Sequence, residues 1–407
     1  AAIDLAEFKS GWKILILGLV GMAISVNASL LYSFGALVVP LETAFGWSRA
    51  EVQASVSFLY LGAIFGLQLV GWLNTRFGAK RLAIISFVLI TATYGVMMLN
   101  TGSILALYVA VLLLPILGAG CLAVTWTQII SLWFSTNRGL ALAIGLSGTG
   151  LAASFLPPLI SEGVAQWDWR AGFAILAAIN LLIALPLTLL WYRLPRTLVA
   201  ETNTAEPETV LEGMSFWDAA RNAQFWILTV SLSLLVSAIV ALVISTIPML
   251  RDRGFGAQEA SSIFATLGLA LIGGRMVVGY LLDRLPAIIV SAIALAIPAV
   301  GCLIFLSGLN TPALLMLAAF LVGLGAGGEF DIAAFITARY FGLRDYAKIF
   351  GLHLGFVTAA SAAAPLMVAA MLGEAVSYTP VLLYCLACFI IGPALLLLMG
   401  RKPAIAA

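Results

Sequence analysis

Charge is scarce in this chain. Of its 407 residues only 9% are Asp, Glu, Lys or Arg, against about 25% in ordinary soluble domains. So few charges cannot cover the exterior of a water-soluble protein this long, so a soluble fold is excluded. The net charge of +2 and the absence of any Lys/Arg-rich run exclude a nucleic-acid surface. Histidine occurs once, at His353, and the four cysteines (Cys121, Cys302, Cys385, Cys388) all lie in apolar runs. A zinc site of the usual His/Cys kind cannot be assembled, and Cys385-x-x-Cys388 reads as two packed helix residues. No metal and no cofactor are expected. No Ser/His/Asp set, paired histidines or phosphate-loop lysine is present, so an enzyme is not expected either. Gly145–Gly150 and Gly323–Gly328 lack the lysine and strand of a phosphate loop, and read as surfaces of close helix packing or gating.

What is abundant is apolar surface, at 63% of residues, and a bilayer can solvate it. Runs long enough to cross about 30 Å of hydrocarbon fall near 13–39, 50–73, 82–98, 104–132, 138–160 and 170–192. They resume near 223–249, 259–282, 287–307, 312–338, 347–371 and 378–399. The pattern predicts an all-α membrane protein of 12 transmembrane helices. It divides into an N-terminal six-helix bundle (1–192), a polar linker (193–222) and a C-terminal six-helix bundle (223–407). Within the linker, Ser215–Arg221 reads as a short surface helix. The stretch from Ile14 to Val39 is too long for a signal-peptide core, so it is expected to stay as the first helix.

Basic residues set the orientation. Fifteen of the 20 Lys and Arg fall at one end of the spans, hereafter the basic face. Arg49, Arg170, Arg251 and Arg253 fall at the opposite face, and Arg275 lies inside a span. The expectation is that both termini and the linker are cytoplasmic.

The two halves repeat each other. Gly71-Trp-Leu73 follows the second span and Gly279-Tyr-Leu281 the eighth, at an offset of 208. Gly118-Ala-Gly120 and Trp133-Phe134 match Gly325-Ala-Gly327 and Tyr340-Phe341 at an offset of 207. Phe45-Gly46 recurs as Phe255-Gly256, and Pro158 as Pro365. A colinear series of this kind points to duplication, and parallel six-helix halves around a midplane site are a transporter arrangement.

Gly71-x-Leu73-x-Thr75-Arg76-x-Gly78, with Lys80-Arg81, resembles the loop signature of the major facilitator superfamily. Asp283-Arg284 keeps in the second half the aspartate that Thr75 replaces in the first. Phe45-Gly46-Trp47-Ser48-Arg49-Ala50-Glu51-Val52, Glu329-x-Asp331 and Arg339-Tyr340-Phe341-Gly342 resemble bacterial members of its monocarboxylate/oxalate branch. The resemblance implies the major facilitator fold, alternating access and a bacterial inner (plasma) membrane location. It also implies gating roles for Gly71, Arg76, Gly78, Gly279, Asp283 and Arg284. With the usual aspartate gone at Thr75, the first-half latch is expected to be weakened.

Ionisable groups inside a membrane usually face a cavity or a partner. Arg275 lies about seven residues from the end of the eighth span, roughly 10 Å deep at 1.5 Å per residue. Asp331 in the tenth span and His353 in the eleventh lie at similar depth, so the three are expected in one layer. A guanidinium matches a carboxylate, so Arg275 is the candidate to hold a substrate carboxylate; snorkelling or a purely structural pair with Asp331 is the plainer alternative. In the branch it resembles, this arginine binds the substrate carboxylate, and monocarboxylate members often carry an aspartate one turn earlier, where this chain has Leu271. Asp331 and His353 are then the candidates for proton coupling, His353 also as a substrate donor. Glu329, pointing some 200° from Asp331, is a further coupling candidate, expected to bond to an adjacent helix.

The first half has no intramembrane charge. Asn27, Tyr32, Thr125, Trp126 and Gln128 are its candidate substrate linings, with helix packing as the plainer reading. The expected function is a proton-coupled symporter of a small monocarboxylate, a monomer whose partners are substrate, H+ and lipid, with no nucleic acid. The alternatives are a dicarboxylate or organic-anion exchanger, a multidrug-type facilitator, and a non-transporting membrane sensor.

Overall fold

A computed structural model describes residues 5–134, 137–194, 213–282, 284–342, 344–372 and 377–400. Among the described residues, regular structure is helical apart from an isolated bridge between Gly213 and Gly342. Among the described residues, eleven helices are long and apolar enough to cross a bilayer, and Ile104–Leu117 is a shorter apolar one. Together they make up the expected twelve-helix architecture.

The first span, predicted as one helix, is two: α1 (Leu5–Ile24) and α2 (Val26–Phe45). Ser25 between them is extended, with φ −52° and ψ 139°. The Ser29 hydroxyl donates to the Ile24 carbonyl at 3.4 Å, one of the acceptors that the break leaves over. α2 ends at Gly46, whose left-handed φ of 69° returns its N–H to Glu42. α3 (Arg49–Phe77) opens with a Ser48/Glu51 capping box. α4 (Ala79–Met98) follows through Gly78. The Asn100 side chain accepts from the N–H groups of Gly102 and Ser103, closing the turn into α5 (Ile104–Leu117).

The fourth span also breaks. α5 gives way to a 3-10 turn (Ala119–Cys121) and then to α6 (Ala123–Trp133). Pro115 withholds an N–H from the helix just before two glycines. A Cβ on Gly120 would lie 2.6 Å from the backbone of Leu82, so the close approach to α4 requires glycine. Groups freed by the break find partners: Gly120 N–H donates to Ser86 Oγ, and the Trp126 indole N–H to Cys121 O. The fifth span, α7 (Arg138–Leu146) and α8 (Gly148–Gln166), kinks at Ser147, whose hydroxyl donates back to Ala143 O at 2.8 Å. The sixth joins α9 (Arg170–Ile179) to α10 (Leu185–Trp191) through a π turn in which Leu185 N–H reaches Asn180 O. Pro186, with no N–H, follows that turn.

The second half is built of unbroken rods. After short α11 (Phe216–Arg221), capped by Ser215, come α12 (Ala223–Asp252), α13 (Ala257–Leu282) and α14 (Ala287–Leu306). α15 (Pro312–Phe341), α16 (Tyr346–Leu372) and α17 (Thr379–Leu397) complete it. Gly325-Ala-Gly327 lies inside continuous α15, although its first-half counterpart is a break. At the same 207 offset, Pro115 is matched by Val322, which keeps its N–H. The stretch before α11 docks on the α15–α16 turn: Met214 N–H donates to Phe341 O and Phe216 N–H to Asp345 Oδ2. The Lys348 ammonium, and then that Phe216 N–H, hold the Asp345 carboxyl below its usual pKa.

The chain divides into two compact units: Ala1–Ala205 with Leu250–Ser262, and Glu206–Met249 with Ile263–Ala407. The first unit thus includes the end of α12 and the start of α13. Within it, buried Arg49 donates through Nε and Nη2 to Glu42 at 3.0 and 2.9 Å, and through Nη1 to Asp252. Ser161 and Ser261 share a hydroxyl contact. The middle of the expected linker, 195–212, and Asp283, expected to serve gating, lie outside the described residues.

Candidate functional site

Glycine brings the eighth and tenth spans together within the second unit. A Cβ on Gly323 would sit 2.1 Å from Leu267 O, and one on Gly327 2.2 Å from Leu271 O; Gly274 faces Leu324 O in the same way. The two backbones are in direct contact there, as the reading of Gly323–Gly328 as a packing surface expects. Arg275, one residue past Gly274, crosses this seam. Its Nε lies 3.1 Å from Asp331 Oδ2 and 3.3 Å from Gly327 O. The arginine is 7% exposed, and its Nη1 is buried with no hydrogen-bond partner. Asp331 is 31% exposed, so the pair reaches open space through the carboxylate.

Glu329 is buried in electrostatic reach of both Arg275 and Asp331. It was expected to bond to an adjacent helix, but its Oε2 has no hydrogen-bond partner. One cation therefore serves two carboxyl groups, and Arg275 Nη1, Glu329 Oε2 and Asp331 Oδ2 are all buried without a hydrogen bond.

His353 does not join this cluster. No hydrogen bond or ion pair among the described residues links it to Arg275, Asp331 or Glu329. It is fully buried, stacked on Phe225 at 4.2 Å and tilted against Phe341 at 6.3 Å. Phe341 is ten residues beyond Asp331 on α15, about 15 Å of helix, so the expected single layer of three groups is really a pair and a separate cage. Thr229 Oγ1 donates to Phe225 O at 2.8 Å and lies 2.6 Å from His353 Nδ1. With its one proton so committed, the hydroxyl accepts from Nδ1–H, and Nε2 is left as a buried lone pair without a partner. Sequence reasoning missed Thr229 and Phe225, because an ordinary polar or aromatic residue in an apolar run gives no signal.

The first-half candidates separate. Trp126 is fully buried, its ring against Gly21 and its indole N–H on Cys121 O, so in this conformation it packs helices. Thr125 is also fully buried, with Oγ1 unpartnered. Asn27, beside the Ser25 break, keeps a buried Oδ1 without a partner. Tyr32 is partly buried, and Gln128 is exposed on α6. Among the signature residues, Gly78 takes φ 77°, which favours glycine, whereas a Cβ on Gly279 would meet nothing within 4 Å. Gly71 lies within α3. Arg76 stacks over Trp72 and Phe77, and Arg284 over Tyr280, whose hydroxyl it also bonds.

A twelve-helix, duplicated membrane protein with a buried cation beside carboxyl groups is, as a class, a secondary transporter fold. The Major Facilitator Superfamily profile matches residues 14–365, and the chain belongs to that family. It is 25% identical to the MFS-type transporter YcxA of Bacillus subtilis (strain 168) over 67% of this chain and 65% of that one. To bovine monocarboxylate transporter 13 it is 26% identical over 68% and 62%. It is likewise 26% identical to the MFS-type transporter YhjX of Escherichia coli (strain K12) over 75% and 76%. The chain thus matches slightly under two thirds of the length of the first two relatives. In fold it is similar to a mutant form of the nucleoside transporter NupG, with a TM-score of 0.76 at 16% identity, covering 96% of this chain and all of that one. It is similar too to a bacterial homolog of the human lysosomal transporter Spinster, inward-facing and unoccupied, at 0.67, 19%, and 96% and 95% coverage.

Proposed function

We propose that this protein is a symporter of a small monocarboxylate and a proton, working by alternating access in a bacterial inner membrane. The observation that carries the reading is Arg275: a buried guanidinium with one edge on Asp331 and Gly327 and Nη1 unclaimed. A carboxylate approaching Nη1 gains a charge-assisted hydrogen bond in a low-dielectric site. Asp331, partly exposed, is the partner that it displaces or shares.

Charge balance supplies the coupling. Arg275 already faces Asp331 and Glu329, so a substrate carboxylate would be a third acid on one cation. An uncompensated buried charge costs several kcal/mol, so anion and proton favour each other's binding. Asp331 and Glu329 are the acceptors nearest the anion. His353, held in its cage with Nε2 free, is a second acceptor away from it. The arrangement is framed by bundles 1–192 and 223–407, joined by the cytoplasmic linker 193–222, with both termini cytoplasmic and the protein acting as a monomer. Gly71, Arg76, Gly78, Gly279, Asp283 and Arg284 serve the inner gate, and Asn27, Tyr32, Trp126 and Gln128 line the first-half side of the path. Similarity to monocarboxylate transporter 13 supports the substrate class.

The test is uptake of labelled short-chain monocarboxylates and dicarboxylates into proteoliposomes, with and without an inward proton gradient. Accumulation of a monocarboxylate driven by the gradient, and abolished in Arg275→Ala, is the expected result. Gradient-independent exchange of dicarboxylates, no carboxylate uptake, or full activity in Arg275→Ala would overturn the reading.

A further inference from the structure

Every helix interruption described above lies in the first unit. Three of these meet. The break after Ile24 lies against the fourth-span break, because a Cβ on Gly118 would sit 2.9 Å from Val26. It also lies against the Ser147 kink: a Cβ on Gly148 would sit 2.1 Å from Leu19 O and 2.8 Å from Ala23 N. Ser25, the Ala119–Cys121 turn and Ser147 therefore form one layer across spans one, four and five.

On the basic-face side of that layer, α1, α6 and α7 pack on one another, and the Trp12–Trp191 edge contact and the Trp133 indole on Arg193 O join them to the end of the sixth span. Successive turns of α6 fill glycine notches on α1: Trp126 lies on Gly21, Ile130 on Gly18 and Phe134 on Gly11. Ile130 also fills the notch at Gly145 of α7. Asn137 donates its N–H and Nδ2 to the Glu7 carboxylate at 2.8 and 2.9 Å, pinning the start of α1 to the start of α7. The helices are thus locked to one another by large side chains in backbone contact, while each is joined to the rest of its own span by a non-helical or bent residue.

We propose that α1, α6 and α7 form a single rigid gate on the basic face that swings about the layer Ser25, Ala119–Cys121 and Ser147. The duplicated half has continuous helices at the matching places and no such layer among the described residues. The gate deepens the alternating-access reading by naming the part that moves. A 20° swing of nine-residue α7, about 14 Å long, moves its tip by about 5 Å.

Spin-label distance measurements on the full chain in nanodiscs test this without any substrate. Ile16 and Leu140 are exposed and lie within the body; Leu132–Leu105 spans the fourth-span break, and Leu140–Phe155 spans the kink. Each pair is compared with and without Arg49→Ala, which removes the Glu42–Arg49–Asp252 ties at the opposite face. The expected result is one narrow, unmoved distribution for Ile16–Leu140. The two crossing pairs should show two populations, or a shift that the internal pair lacks. Crossing pairs as narrow and fixed as the internal pair, or an internal pair that moves with them, would overturn the gate. Either outcome leaves the carboxylate assignment to the uptake experiment.

Discussion

Replacing Asp331 by alanine strands Arg275. The guanidinium is 7% exposed and would keep only Gly327 O, at 3.3 Å from Nε. Breaking a fully buried pair costs about 3–5 kcal/mol. Asp331 is 31% exposed, so solvent screens part of the interaction and the expected loss is about 2 kcal/mol. For a cooperative unit of about 200 residues that lowers the melting temperature by about 4–8 °C. Glu329 can recover part of the loss by turning to the arginine, so the same substitution in a Glu329→Gln background should cost more than the two changes added separately. The double variant Arg275→Met/Asp331→Leu removes both charges and should melt above Asp331→Ala. A thiol-reactive dye reads unfolding directly, since all four cysteines are buried in the folded chain. If Asp331→Ala melts within about 1 °C of wild type, or the double variant melts below it, the pair is not the buried interaction argued from its geometry.

Two other variants probe different contacts. Gly21→Ala places a Cβ 2.3 Å from the Trp126 ring, so it should lose about 1–3 kcal/mol by overpacking. Adding Trp126→Phe should restore part of that loss in the same melt, and no rescue would mean that the strain lies elsewhere. His353→Phe keeps the stack on Phe225 and forfeits the Thr229 hydrogen bond, worth about 1 kcal/mol. It should fold, and the pH profile of uptake should flatten; an unchanged profile would leave His353 a packing residue.

Much of the fold is legible in the chain because lipid imposes a simple rule. Twelve long apolar runs, their separating turns and the short helix near Ser215–Arg221 can be read directly, as can Gly323–Gly328 as a packing or gating surface, though not that its partner is the eighth span. The continuity of each helix cannot be read from hydropathy. Ser25 and Ser147 sit in runs as apolar as any other, and what they do depends on local hydroxyl bonds and on the glycines facing them. The site is legible in part for a similar reason. Arg275 and Asp331 stand out because charge in a membrane demands a partner, and they do pair. Depth along a span did not locate His353, because equal depth says nothing about which way a side chain turns. Its cage is made by Thr229, Phe225 and Phe341, none of them unusual in composition.

The mismatch between Pro115 and Val322 bears on how a duplicated protein diverges. Both halves inherited the same Gly-Ala-Gly triplet, and the triplet alone leaves the backbone undecided between a rod and a bend. The first copy also has Pro115, a ring without an N–H, where the second has Val322, and the first copy bends where its twin runs straight. Grafting the fourth span into the position of the tenth would therefore import a joint beside Arg275, where Gly327 O has to stay in line to hold the guanidinium. The halves of this protein are homologous, yet they have ceased to be interchangeable parts.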